Sequence, residues 1–346
     1  MPPPLPLLHP RRERPAQAVD RAENHADDHA VDHSVDCGEH HAEFRAPDSA
    51  LGDTELIAAR TALTQERHQA ARALLLRTGD DWDRRGHRIT VLAREPCAAA
   101  RARDWLLAEP GSAGAATLFA LALVHRALRG EEGPGTARMA CREAAGLAPA
   151  DPTPWLGLLL LERASGTGDG TRRIFAEVRA RHPDHHHAHH LMTARLAERG
   201  PDRGANPDHE VYAFADECAA RAPADSPLAL LPVVAHTERY RVLAVAGLAA
   251  ADPAASGHWS QPATGPLLQA SFDWWLEWEP EDHPRSHVDL NFLAHALYCA
   301  GRGAEAAALF QRIDRYVTPA PWSYPAHDPC AAFHTARARA LGTVAS

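Results

Sequence analysis

Lysine is absent from this chain, and all 36 of its basic residues are arginines. No side-chain amine can form a Schiff base, which excludes lysine-based covalent catalysis. The same absence excludes a phosphate-binding loop of the G-x-x-x-x-G-K-[ST] type and a kinase built on a V-A-I-K lysine. Isoleucine is nearly as scarce, at positions 57, 89, 174 and 313 only. Strand signals are correspondingly few, and the one Asp-Gly pair, Asp169-Gly170, is not flanked by the alternating runs of a hairpin.

Six scattered cysteines (Cys37, Cys97, Cys141, Cys218, Cys299 and Cys330) include no C-x-x-C pair, so neither a zinc ribbon nor a thioredoxin-like motif is supported. There is no H-E-x-x-H and no G-x-S-x-G elbow. Gly301-x-Gly303-x-x-Ala306 fits a dinucleotide fingerprint in letters, but it follows a helical pattern rather than a strand. No cofactor and no catalytic residue is implied.

Long apolar runs are also missing. The stretch from Ala113 to Val124 comes nearest and is too short to span a bilayer. The proline-rich start, Met1 to Pro10, lacks the apolar core of a secretory signal. These features predict a soluble cytoplasmic protein without a membrane partner. Net charge is −9 with histidines neutral, and the only dense basic block is Arg11, Arg12 and Arg14. That balance argues against nucleic acid, whose affinity comes largely from a basic face.

What is present is a helical pattern behind a low-complexity tail. Residues 1–50 combine early prolines with alternating Asp, Glu, His and Ala, and they read as a disordered His/Asp/Pro-rich tail. Residues 51–340 read as one helical domain, and 341–346 as a disordered C-terminus. From Thr54 the apolar residues recur at helical spacing. Further helices are predicted at about 82–94, 97–108, 114–129, 136–147, 154–164, 171–181, 185–198, 208–221, 227–249, 265–278, 287–300 and 303–316, divided by Gly and Pro breaks.

Internal repetition refines this all-α reading. The prolines of Leu147-Ala148-Pro149 and Arg181-His182-Pro183 lie 34 residues apart, the tetratricopeptide period. That shift sets Cys141 over Phe175, Ala144 over Val178, Trp155 over His189 and Leu158 over Met192. A third unit follows at a spacing of 40, and the clearest unit lies at 290–317, where Leu293-Ala294, Leu297-Tyr298, Gly301 and Leu309-Phe310 resemble a tetratricopeptide repeat. The expected architecture is a tetratricopeptide-like helical-repeat array, an α-solenoid.

Several segments together resemble an uncharacterised bacterial family of tetratricopeptide-like proteins known only as a domain of unknown function. They are Trp82-Asp83-Arg84-Arg85 with Leu92-Ala93, Ala150 to Trp155, Ala188 to Met192, Ala222-Pro223 with Ser226-Pro227-Leu228, and Pro321-Trp322. The resemblance covers roughly residues 54–340 and implies a helical fold but no chemistry.

The densest chemical feature is His182 with His185, His186, His187, His189 and His190. On a helix, His185 with His189 and His186 with His190 stand four apart on shared faces, a spacing that can chelate a transition metal. A third ligand and groups to orient each ring are not visible in the sequence. The repeat register places His189 where Trp155 stands, which marks it as a core position. In the tail, His25, His29, His33, Cys37 and His41 recur every four residues among aspartates, as an expanded low-complexity repeat would.

Trp274, Trp275 and Trp278 form an aromatic patch on a predicted helix, by default core and, where exposed, an anchor for a partner. The leading functional expectation is a non-catalytic scaffold for a protein or peptide partner. The alternative is a metal-binding or metal-dependent enzyme using His185, His186, His189 and His190.

Overall fold

A computed structural model of the chain describes residues 47–200, 206–278 and 282–342. The histidine repeat at 25–41 lies outside these residues. Sixteen α-helices and no strand occur among the described residues. None of these helices is long and apolar enough to cross a membrane. The first eight helices are α1 (Thr54–Thr64), α2 (His68–Thr78), α3 (Trp82–Leu92), α4 (Ala98–Ala108), α5 (Ala113–Leu128), α6 (Pro134–Leu147), α7 (Thr153–Ser165) and α8 (Gly168–Arg181). They are followed by α9 (His186–Ala197), α10 (Glu210–Arg221), α11 (Leu231–Val245), α12 (Thr264–Trp278), α13 (Ser286–Cys299), α14 (Gly303–Ile313), α15 (Pro319–Trp322) and α16 (Pro329–Ala340).

Local chemistry sets the helix starts. Asp53, Asp81, Ser112, Thr167 and Asp328 each accept a backbone N–H of the first turn, and prolines open α6 and α16. Three expectations shift. The helical pattern after Thr54 divides into α1 and α2 at Glu66, whose φ of +66° ends the first helix. The predicted 227–249 helix is a short 3-10 turn, Pro227–Leu230, followed by α11. Helices α15 and α16 were not predicted, because α16 buries only Cys330, Phe333 and Ala336 and shows little periodicity. Residues 47–50, grouped by composition with the tail, lie against the helices: Ala50 is 1% exposed.

Sequence neighbours pack in pairs, α5 on α6, α7 on α8 and α13 on α14. Cys141, Ala144, Phe175 and Val178, matched by the 34-residue shift, are all buried. Gly157 shows why small residues recur at such contacts. A Cβ there would meet Cys141 Sγ at 3.1 Å and Leu121 at 3.2 Å.

Two apolar cores result, one drawn mainly from α1–α11 and one from α12–α16. α13 serves both. Val288 and Phe292 face the first core, while Leu290, Leu293 and Leu297 face the second. The first-core face also carries Asp289, and Arg285 sits one turn before it, at the helix start.

Candidate functional site

α9 is buried on nearly every side, with Arg195 its one residue that is not. A helix buried all round is normally apolar; this one opens His186-His187-Ala188-His189-His190. Buried imidazoles need partners, and two carboxylates from distant segments supply them for His182, His186 and His190, while neither nitrogen of His187 has a hydrogen-bond partner among the described residues.

Asp83 of α3 reaches the start of α9. Its Oδ2 lies 2.9 Å from His182 Nε2, and its Oδ1 accepts the backbone N–H of His186 at 3.0 Å. His185 Nδ1 stands 3.4 Å from Asp83 Oδ1, and His283 Nε2 stands 3.6 Å from Oδ2. Burial pushes the Asp83 carboxyl up, but His185, His182 and His283 outweigh it and hold it well below the carboxylate range. Hydrogen bonding to Asp83 raises His182 in turn.

Asp289 of α13 holds the next face of α9. His186 Nε2 lies 2.8 Å and 3.0 Å from its two oxygens, and His190 Nε2 lies 3.1 Å from Oδ1. Burial opposes ionisation of Asp289, and His186 and His190 overcome it, so its pKa falls. Burial takes His186 down to about 3 despite Asp289. Arg285 completes the group by donating Nε–H to His186 Nδ1 at 3.3 Å.

The four histidines of the metal alternative thus divide among three surroundings. His185 faces Asp83, and its Nδ1 also receives the Ala188 N–H at 3.4 Å. His189 Nδ1 donates to the His185 carbonyl at 2.9 Å, with its ring edge-on to Phe175 at 5.0 Å. It packs as a core residue. Only His186 and His190 share a focus, and with Asp289 they offer three ligand atoms within 4.8 Å of one another.

The proton arrangement decides how these three atoms are used. An imidazole binds a metal through a nitrogen bearing no proton, while its other N–H points to an acceptor. At His186 the other nitrogen faces Arg285, which has donors only. With Nδ1 accepting, the proton of neutral His186 sits on Nε2 and is donated to Asp289. The geometry therefore favours an ionised aspartate receiving two imidazole N–H groups. The residues do not fit a metal centre while Arg285 holds that place.

Beside this junction lies a cavity of about 220 Å³. His87 and Thr90 of α3 and Arg94, just past its end, line one wall. Arg285, Val288, Val317 and Thr318 line another, and Pro47, Asp48 and Ser49 form the more exposed rim. Four side-chain atoms in these walls are buried without a hydrogen-bond partner among the described residues: His87 Nε2, Thr90 Oγ1, Arg94 Nε and Arg285 Nη2. Burial, reinforced for Arg94 by the charge of Arg285, lowers each guanidinium to about 10. Burial likewise depresses His87 and His187 well below the histidine range, so both are neutral at pH 7.

Sequence reasoning missed this cavity. His87, Thr90, Val91 and Arg94 follow the i, i+3, i+4, i+7 spacing of one helix face, which was legible. Their convergence with Arg285, 191 positions beyond Arg94, was not.

The tryptophans separate in a similar way. Trp275 is 7% exposed within the second core. Trp274 donates Nε1–H to the Ala224 carbonyl at 2.6 Å, and Trp278 is 42% exposed beside Leu276 in sequence.

No protein-family model, no curated protein and no solved structure matches the chain.

Proposed function

We propose that this chain is a helical ligand-binding protein whose working part is the cavity between α3 and α13. The observation that carries the reading is the set of four unpartnered polar atoms, from His87, Thr90, Arg94 and Arg285, in the walls of one cavity. Each such group costs about 1–3 kcal/mol when left unsatisfied. Total stability of a folded domain is only about 5–15 kcal/mol. Unpartnered buried atoms occur elsewhere in the fold as well, among them both nitrogens of His187 and Trp259 Nε1, but these four line a hollow that a polar ligand can enter, and such a ligand would recover part of their cost.

The test is a thermal-shift and titration series with small polar compounds on the full chain and on Val288→Trp, which fills the cavity. Ligands should stabilise the wild type and lose binding in the variant. A series in which no binding responds to Val288→Trp contradicts the proposal.

A second reading, a tetratricopeptide-like scaffold for a protein partner, is favoured by Leu276 and Trp278, which are 53% and 42% exposed at the end of α12. A partner recovered by the wild type and lost on Trp278→Ala supports it. Recovery unchanged by that substitution counts against it.

A further inference from the structure

Arg94 and Arg285 are two positive charges lining one cavity, and neither has a carboxylate within ion-pair distance among the described residues. The carboxylate nearest the rim, Asp48, is taken up by Arg60, with contacts of 2.8 Å and 3.3 Å, and by the Ala50 N–H. Asp289 is engaged by His186 and His190, and Asp83 by His182 and the His186 N–H. Arg285 is buried and Arg94 half-buried, and although Asp289 and Asp83 favour the Arg285 charge from a distance, a desolvated cation is ordinarily paired directly, because its desolvation is expensive. Here the acids that could serve are committed elsewhere.

The remaining lining groups fit the same ligand. The Thr90 hydroxyl is unpartnered and can donate, and His87 adds a neutral imidazole. Val91, Val288 and Val317 give the cavity its apolar lining. At about 220 Å³ the hollow exceeds what a single water needs many times over, so it has room for two anionic groups joined by a short carbon body.

We infer that the cavity binds a small organic dianion, its two negative groups held by Arg94 and Arg285 and its carbon body against the three valines. The inference rests on the cavity reading above and adds the charge class of the ligand. Guanidinium–oxyanion bonds are short, charge-assisted and often bidentate, and arginine is the side chain suited to them.

The experiment compares succinate with its neutral isostere succinamide, and inorganic phosphate with sodium chloride at matched ionic strength, by calorimetric titration of the full chain. Succinate or phosphate should bind, succinamide should bind at least tenfold more weakly, and Arg94→Gln should weaken the anions at least tenfold. Arg94 makes no side-chain hydrogen bond or ion pair among the described residues and is only half-buried, so Arg94→Gln should fold. Without an anion it should melt at or above the wild-type temperature, because an uncompensated charge is gone. With succinate at roughly a hundred times its measured Kd, which adds about 2.7 kcal/mol to the form that binds it, the order should reverse.

A purely structural arginine gives no such reversal, and its absence overturns the inference. If succinamide binds as well as succinate and Val288→Trp abolishes both, the cavity reading stands and the dianion falls. If no probe responds to Val288→Trp, both fall.

Discussion

Arg285 Nε–H points at Nδ1 of His186 from 3.3 Å, and that single contact fixes which nitrogen of a buried imidazole carries the proton. It makes His186 a donor to Asp289 rather than a metal ligand, although His186, His190 and Asp289 lie within 4.8 Å. Removing the guanidinium should reverse the choice. Arg285→Met is expected to take up one equivalent of Co²⁺ with the visible absorption of a low-coordinate site, and His190→Ala in that background should abolish it. Wild type should show only the weak background of its tail histidines, unchanged by His190→Ala. A stoichiometric, His190-dependent Co²⁺ spectrum in wild type contradicts the tautomer argument.

Asp289 is the acceptor on which two buried imidazoles converge. Its exposure is 2%, so solvent cannot replace it. Asp289→Asn removes the charge and exchanges one acceptor oxygen for a donor facing donors. A loss of about 3 kcal/mol is expected from disrupting a buried charged hydrogen-bond group. The urea midpoint at pH 7.5 measures it. A change within about 0.5 kcal/mol, the range of ordinary surface substitutions, rules out the role assigned to Asp289.

Burial also sets the response to acid. His125, His186, His236 and His295 are brought down to about 3, and His258 to about 4, in each case mainly by desolvation. Unfolded histidines titrate near pH 6.5, so below that value the unfolded chain binds protons that the folded chain refuses. Their stabilisation is complete above pH 6.5 and is lost as pH falls towards 3, at up to about 1.4 kcal/mol per pH unit for each histidine. His182, raised by its bond to Asp83, works in the opposite sense and only partly offsets the loss. The urea midpoint should fall steeply between pH 7.5 and 5.5, before ordinary carboxylates titrate. A flat profile across that interval contradicts neutral burial of these rings.

Much of the helical content was legible because Gly and Pro punctuation and the 3.6-residue period are local signals. Cys141, Phe175 and Val178, matched by the 34-residue shift, are buried, and His189, which the shift set over the half-buried Trp155, is buried edge-on to Phe175. The functional geometry was less accessible. Asp83, His186 and Asp289 come from segments about a hundred residues apart, and nothing in their local spacing reveals that α3 and α13 close on either side of α9. The histidine run drew the eye towards metal chelation. The group that argues against it, Arg285, looks in sequence like any arginine in front of a helix.

The most direct test of the cavity is a crystal structure of the full chain soaked in selenate, a tetrahedral dianion with an anomalous signal. The account predicts an anomalous peak between the guanidinium groups of Arg94 and Arg285, with Thr90 within hydrogen-bond reach, and no such peak in Arg94→Gln. A wild-type crystal with both arginines in place and no selenate between them would contradict it.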